Sequence, residues 1–133
     1  MTLEFALLDG SFAVAQLAPD APIPSWADRP PFVTITRTHS ELSIVCDETA
    51  VPDDIRADRN WRALEVLGPF AFDVTGVAAA FTSALATHGI SVLVIATFDT
   101  DYLLVKSELL ERALDALRAA GHRIKNDSAN ALP

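Results

Sequence analysis

Cysteine is almost missing from the 133-residue chain, Cys46 being the only one. No intrachain disulfide can form, and zinc sites built from paired CxxC motifs are excluded. Basic runs are missing too: 10 Lys and Arg are scattered among 18 Asp and Glu, for a net charge of −8. A nucleic-acid backbone or an anionic membrane surface would be repelled by that balance. The opening Met-Thr-Leu-Glu has no basic leader-like stretch, and no apolar run approaches transmembrane length. The expected compartment is the cytoplasm, where the sequon-like Asn126-Asp127-Ser128 has no consequence. No nucleophile-plus-base motif, phosphate loop or metal-ligand cluster is legible. Catalytic residues, metal and cofactor are therefore all expected to be absent.

What is present is hydrophobic. Half of the residues are apolar and 21% are charged, the balance of a globular protein with apolar surface to spare for a partner. The pattern changes near residue 60. Before it, short β-like runs at 12–17, 32–37 and 42–46 are separated by turns and by a proline-rich connection that carries Trp26. Residues 51–60, with Pro52 and five charges, read as a surface connection between two halves.

After residue 60 the order is β-α-β-β-α with a final short β. Residues 61–67 form the first strand, closed by Gly68-Pro69. A helix over 75–88 has the stripe Val77, Phe81, Ala84 and Leu85, ends at Gly89, and is capped by Asp73 or Thr75. Residues 91–97 and 102–106 are strands around the turn at Asp99-Thr100-Asp101. Ser107 is the expected cap of a second helix that buries Leu110, Ala113, Leu114 and Leu117, pairs Glu108 with Arg112, and ends at Gly121. A last strand lies within 122–125. This is an α+β, ferredoxin-like βαββαβ order with both helices on one face of the sheet. Strand 91–97 is apolar on both sides, so the open face calls for cover from the first half, a second subunit or both.

Gly89-Ile90-Ser91-Val92 and Thr97-Phe98-Asp99-Thr100-Asp101-Tyr102-Leu103-Leu104-Val105-Lys106 resemble the central hairpin of small bacterial ACT-domain proteins. These are similar in turn to the ACT modules of the CASTOR arginine sensors. Thr36-Arg37-Thr38, Glu41-Leu42-Ser43-Ile44-Val45 and Trp61-Arg62 resemble the first-half pattern of the same family. The resemblance covers residues 10–121. It implies a truncated, mostly β ACT-like module over 1–60 and an ACT module over 61–125, followed by a flexible tail at 126–133. It also implies side-by-side pairing of modules and amino-acid binding at the seam.

By that resemblance, the ligand-contacting positions are Val74, Thr75, Gly76 and Val77, within the loop 70–76 that leads into the first helix. A helix start offers backbone N–H groups and partial positive charge to a carboxylate, and Gly76 allows close approach. The same residues also read as an ordinary capped helix start. The hairpin residues Phe98, Asp99, Thr100 and Asp101 complete the candidate set. A carboxylate there suits a ligand ammonium, whereas Asp99 is also explained as a turn residue bonding its own backbone. Arg37 is expected to pair with Glu41 and order a turn. Trp26 and Trp61 read as packing residues, and Cys46 as a small buried side chain. His88 and His122, near helix C-termini, are placed to favour a positive imidazole, and His39 lies in a turn.

The leading expectation is a non-catalytic regulatory or sensor protein that binds a small amino acid as a homodimer. The alternatives are a ligand-free dimeric interaction protein, or a small enzyme using Asp101 or a histidine.

Overall fold

The computed structural model describes residues 1–125. The expected tail at 126–133 and the sequon at 126–128 lie outside the described residues. The chain divides into two compact units, one of Gly10–Trp61 and one of Met1–Asp9 with the chain from Arg62 onward. The boundary falls within a ten-residue strand.

The unit Gly10–Trp61 is built on strands. β2 (Phe12–Leu17), β3 (Thr34–Arg37), β4 (Leu42–Asp47) and the start of β5 (Ala57–Val66) lie in the order β3-β4-β2-β5, every pair antiparallel. Alternation sets the core: Leu42, Ile44 and Cys46 of β4 share one face and are fully buried with Ala13 and Ala15 of β2. Trp26 packs against this cluster, as its size suggests. Trp61 is buried and donates its indole N–H to Asp58 Oδ1 at 2.9 Å.

Two expectations fail here. Arg37 does not order its turn through Glu41. Its guanidinium donates to the Pro19 carbonyl, in a proline-rich connection short of backbone donors of its own, and Glu41 accepts from Gln16 Nε2 at 3.2 Å. The turn is held by Thr38, whose Oγ1 accepts the N–H groups of Ser40 and Glu41 at 3.1 and 3.2 Å. Residues 57–60, read as connection, already belong to β5. There Arg59 reaches back to the carbonyls of Glu48, Val51 and Pro52 at 3.0–3.2 Å, so its charge fastens a loop rather than marking one.

Burial pushes the Cys46 thiol up from its ordinary range; Asp47 adds to the rise, and Arg29 and Arg59 oppose it. The neutral thiol is thus the form the fold prefers. Its contribution to stability is complete below the unfolded pKa and is lost as pH rises through the folded one. Cys46 is expected to react with a thiol reagent at pH 8 many-fold more slowly in buffer than in denaturing urea. Equal rates would show that the β4 face is open.

In the other unit, β5 continues to Val66 and is followed by α1 (Val77–Thr87), β6 (Leu93–Ala96), β7 (Asp101–Lys106), a 3₁₀ turn (Ser107–Leu109), α2 (Leu110–Ala119) and β8 (Arg123–Ile124). This is the βαββαβ order of a ferredoxin-like module. A further strand, β1 (Glu4–Leu7), enters between β5 and β8, giving the order β8-β1-β5-β7-β6. β1 runs antiparallel to β5 (Phe5 opposite Val66) and parallel to β8 (Phe5 opposite Ile124). The helices lay their apolar stripes, Val77/Phe81/Ala84/Leu85 and Leu110/Ala113/Leu114/Leu117, into one core with Leu3, Phe5, Leu64, Val66, Leu103 and Val105.

The helix starts differ from expectation. Gly76, with φ +86°, is the N-cap of α1, and neither Asp73 nor Thr75 caps it. A 3₁₀ turn displaces the start of α2, whose N-cap is Leu109 rather than Ser107. Arg112 donates to the His88 carbonyl at the end of α1, 2.9 Å away. His122 is buried, and its Nδ1 accepts the Leu3 N–H at 3.1 Å, a bond that requires the neutral ring rather than a positive imidazole.

Burial on both sides belongs to β7, where Leu103, Leu104 and Val105 are all fully buried, and not to β6. β6 is the edge strand, with Leu93 and Ile95 half-buried and Val94 43% exposed. An edge strand has a neighbour on one side only, which apolar composition alone does not reveal.

Candidate functional site

Two loops of the ferredoxin-like unit come together at one end of its sheet. Residues 67–76 join β5 to α1, and residues 97–100 join β6 to β7. The Phe70 N–H donates to the Asp99 carbonyl at 2.8 Å, tying the loops at their base. The hairpin is closed by threonines. Thr97 N–H and Oγ1 both donate to the Thr100 carbonyl at 2.8 Å, and Thr100 N–H returns a 3.3 Å bond to Thr97 Oγ1. The buried Thr100 hydroxyl donates to the Val66 carbonyl, fastening the hairpin to the end of β5. The turn bonds therefore come from Thr97 and Thr100, not from the Asp99 side chain.

The first loop depends on two glycines for different reasons. A Cβ on Gly68 would stand 2.9 Å from Phe70 Cδ2 and 3.0 Å from Phe70 N, so only glycine lets Phe70 fold back here. A Cβ on Gly76 would meet nothing within 4 Å; its requirement is the positive φ that turns the chain into α1.

Between the loops lies a half-open cleft of about 210 Å³. Phe70, Ala71, Phe72, Val74 and Val77 form one wall; Ala96, Thr97, Phe98, Asp99, Thr100 and Asp101 form the other. The structure thus gathers Val74, Val77, Phe98, Asp99, Thr100 and Asp101 from the sequence-derived set. Thr75 and Gly76 do not line the cleft. Phe70 and Phe72 stand outside the sequence-derived contact set, although both lie in the loop 70–76; two phenylalanines in a Pro/Gly-containing loop are the available signal.

A smaller cavity of about 150 Å³ lies alongside, lined by Glu65, Leu67, Gly68 and Pro69, with Asp99 and Thr100 common to both. Burial, then the charges of Glu65 and Asp99, push the neighbouring Tyr102 phenol up from its ordinary range. Among the described residues no Lys or Arg lines either space, whereas Glu65, Asp99 and Asp101 do, so both linings are acidic. At the opposite wall no side chain caps the first turn of α1. A helix start in that condition presents backbone N–H groups and positive partial charge. His39 lies in an exposed turn of the other unit, and His122 is engaged with β1. Among the described residues, no helix is long and apolar enough to cross a membrane.

The chain matches a family model described as an ACT domain over residues 56–119, and a second model described as an N-terminal domain over residues 10–54. A crystal structure of a protein from Agobacterium tumefaciens is 45% identical, with a TM-score of 0.89 over 93% of this chain and 92% of that one. The regulatory subunit of aspartate kinase from Thermus thermophilus, only 16% identical, shares the fold with a TM-score of 0.60 over 85% of this chain and 93% of its own. The bovine protein named cytosolic arginine sensor for mTORC1 subunit 1 is 28% identical over 77% of this chain. The chain spans 38% of that relative's length. With the βαββαβ order falling on the matched residues, residues 56–119 of the chain form an ACT domain.

Proposed function

We propose that the chain is a non-catalytic regulatory or sensor protein that binds a small amino acid between the 70–76 loop and the 97–101 hairpin, and works as a homodimer in the cytoplasm. The observation that carries this reading is the pairing of opposite polarities across one small cleft. On one side is the side-chain-uncapped start of α1 behind Val74 and Val77; on the other are Asp99 and Asp101. A zwitterion needs both, its carboxylate meeting the helix start at Val77, the one residue of 75–77 on the cleft lining, and its ammonium meeting Asp101. The relative named as an arginine sensor supports an amino acid over other small ligands.

A thermal-shift screen against all amino acids tests the reading. A ligand that binds only the folded form at a hundred times its dissociation constant stabilises by about 2.7 kcal/mol, which raises the midpoint by roughly 5–10 °C. The same sample is expected to scatter light as a dimer of the 14.3 kDa chain. The exposed apolar edge strand β6, with Val94 in solvent, favours a second reading as a ligand-free dimeric interaction protein. A dimer with no shift at millimolar amino acid would establish that second reading instead.

A further inference from the structure

The two most exposed phenylalanines of the unit are also in contact with each other. Phe72 is 77% exposed and Phe98 78%, their ring centroids are 4.9 Å apart, and the planes cross at 78°. A phenylalanine gains about 1.5–3 kcal/mol from burial. Neither ring is used in the core, where Phe5 and Phe81 are fully enclosed. Both line the cleft, one from each loop, and the loops are fixed at their base by the Phe70–Asp99 bond. The arrangement is a pair of aromatic jaws on a tied hinge. An apolar patch held at the mouth of a concave site is surface reserved for something that will cover it.

The chemistry of the walls says what that something is. Beyond the rings the lining is Ala71, Val74, Val77 and Ala96, with Thr97 and Thr100, whose hydroxyls already donate to backbone carbonyls; among the described residues its ionisable side chains are Asp99 and Asp101, both acidic. A ligand carboxylate beyond the one at the helix start would face those acids with no cation on the lining to offset them. A ligand cation beyond the ammonium would find only Asp99, an exposed carboxylate that gains little from pairing in water, and would otherwise lie against apolar walls. We propose that Phe72 and Phe98 determine specificity, closing on an aliphatic side chain so that the cleft selects medium-sized apolar amino acids, those with the side chains of valine, leucine, isoleucine or methionine. This rests on the amino-acid-binding reading and adds the ligand class to it.

Calorimetric titration of the wild-type chain, Phe72→Ser, Phe98→Ser and Phe72→Leu with leucine, methionine, alanine, aspartate and lysine tests the assignment. Leucine or methionine is expected to bind the wild type about tenfold or more tightly than alanine, aspartate or lysine. Each serine variant is expected to lose about tenfold in affinity for leucine, with Phe72→Leu keeping most of it. The unliganded melting temperature should not move, because both rings are in solvent. Binding of aspartate or lysine in preference, or serine variants that bind leucine like the wild type, overturns the assignment and leaves amino-acid binding standing. Serine variants that keep their affinity but no longer dimerise in light scattering overturn it in favour of an interface between copies. No binding of any amino acid overturns both.

Discussion

Replacing Phe81 by alanine is expected to remove about 3–5 kcal/mol of stability, among the largest losses available from a single side chain in this unit. Phe81 sits on the inner face of α1, is fully buried, and meets Phe5 of β1 edge to face with centroids 6.2 Å apart. Truncation deletes that contact and leaves a cavity between α1 and the sheet, which packed neighbours fill only partly. Since such domains are stable by only about 5–15 kcal/mol, a midpoint fall of roughly 10–20 °C follows. The same change at Phe98, which has lost almost nothing to solvent exclusion, is expected to cost under about 0.5 kcal/mol. Thermal unfolding of the two variants side by side checks both numbers. Similar costs would mean that α1 does not pack as described.

The second large effect is expected at Gly76. Its φ of +86° is open to glycine and, at some cost, to asparagine, but it strains a β-branched residue. Gly76→Val is expected to cost about 1–3 kcal/mol and to displace the 70–76 loop, abolishing any ligand-dependent rise in melting temperature. An added side chain meets no neighbour, so the damage is conformational and not steric. Gly76→Asn is therefore expected to recover most of the stability and the ligand shift. Thermal scans with and without ligand separate the two causes: if asparagine fails as badly as valine, room at the site is what glycine provides.

These two positions also show what the sequence could and could not disclose. Phe81 was legible because a helix repeats every 3.6 residues, and Val77, Phe81, Ala84 and Leu85 recur at that spacing; the whole stripe proved buried. β1 was passed over. Four residues, Glu-Phe-Ala-Leu, give too short an alternation to stand out, although Leu3 and Phe5 do point inward together. The start of β5 was hidden because Asp58, Arg59 and Asn60 look like loop, while Arg59 spends its charge on three carbonyls. β6 misled in the opposite direction. An unbroken apolar run carries no period, so nothing in it distinguishes an edge from a centre. Asp73, Thr75 and Ser107 are good capping residues, yet a glycine with positive φ and a 3₁₀ turn set the helix starts.

The cleft was half legible. The helix-start chemistry of 74–77 and the acids of the hairpin pointed to its two ends, and the ACT resemblance brought the two loops together. Its apolar middle was not legible, because an aromatic residue in a sequence is read first as core. Phe72 is the counterexample: its ring reaches across to Phe98 and stays in water.

The central claim is that an amino acid occupies this cleft, and mapping backbone amide shifts by NMR during titration with amino acids tests it most directly. Saturable shifts concentrated at residues 70–77 and 97–101, with the β2–β4 strands unmoved, are the predicted result. No shift with any amino acid at millimolar concentration, or shifts confined to residues outside those two loops, would contradict it.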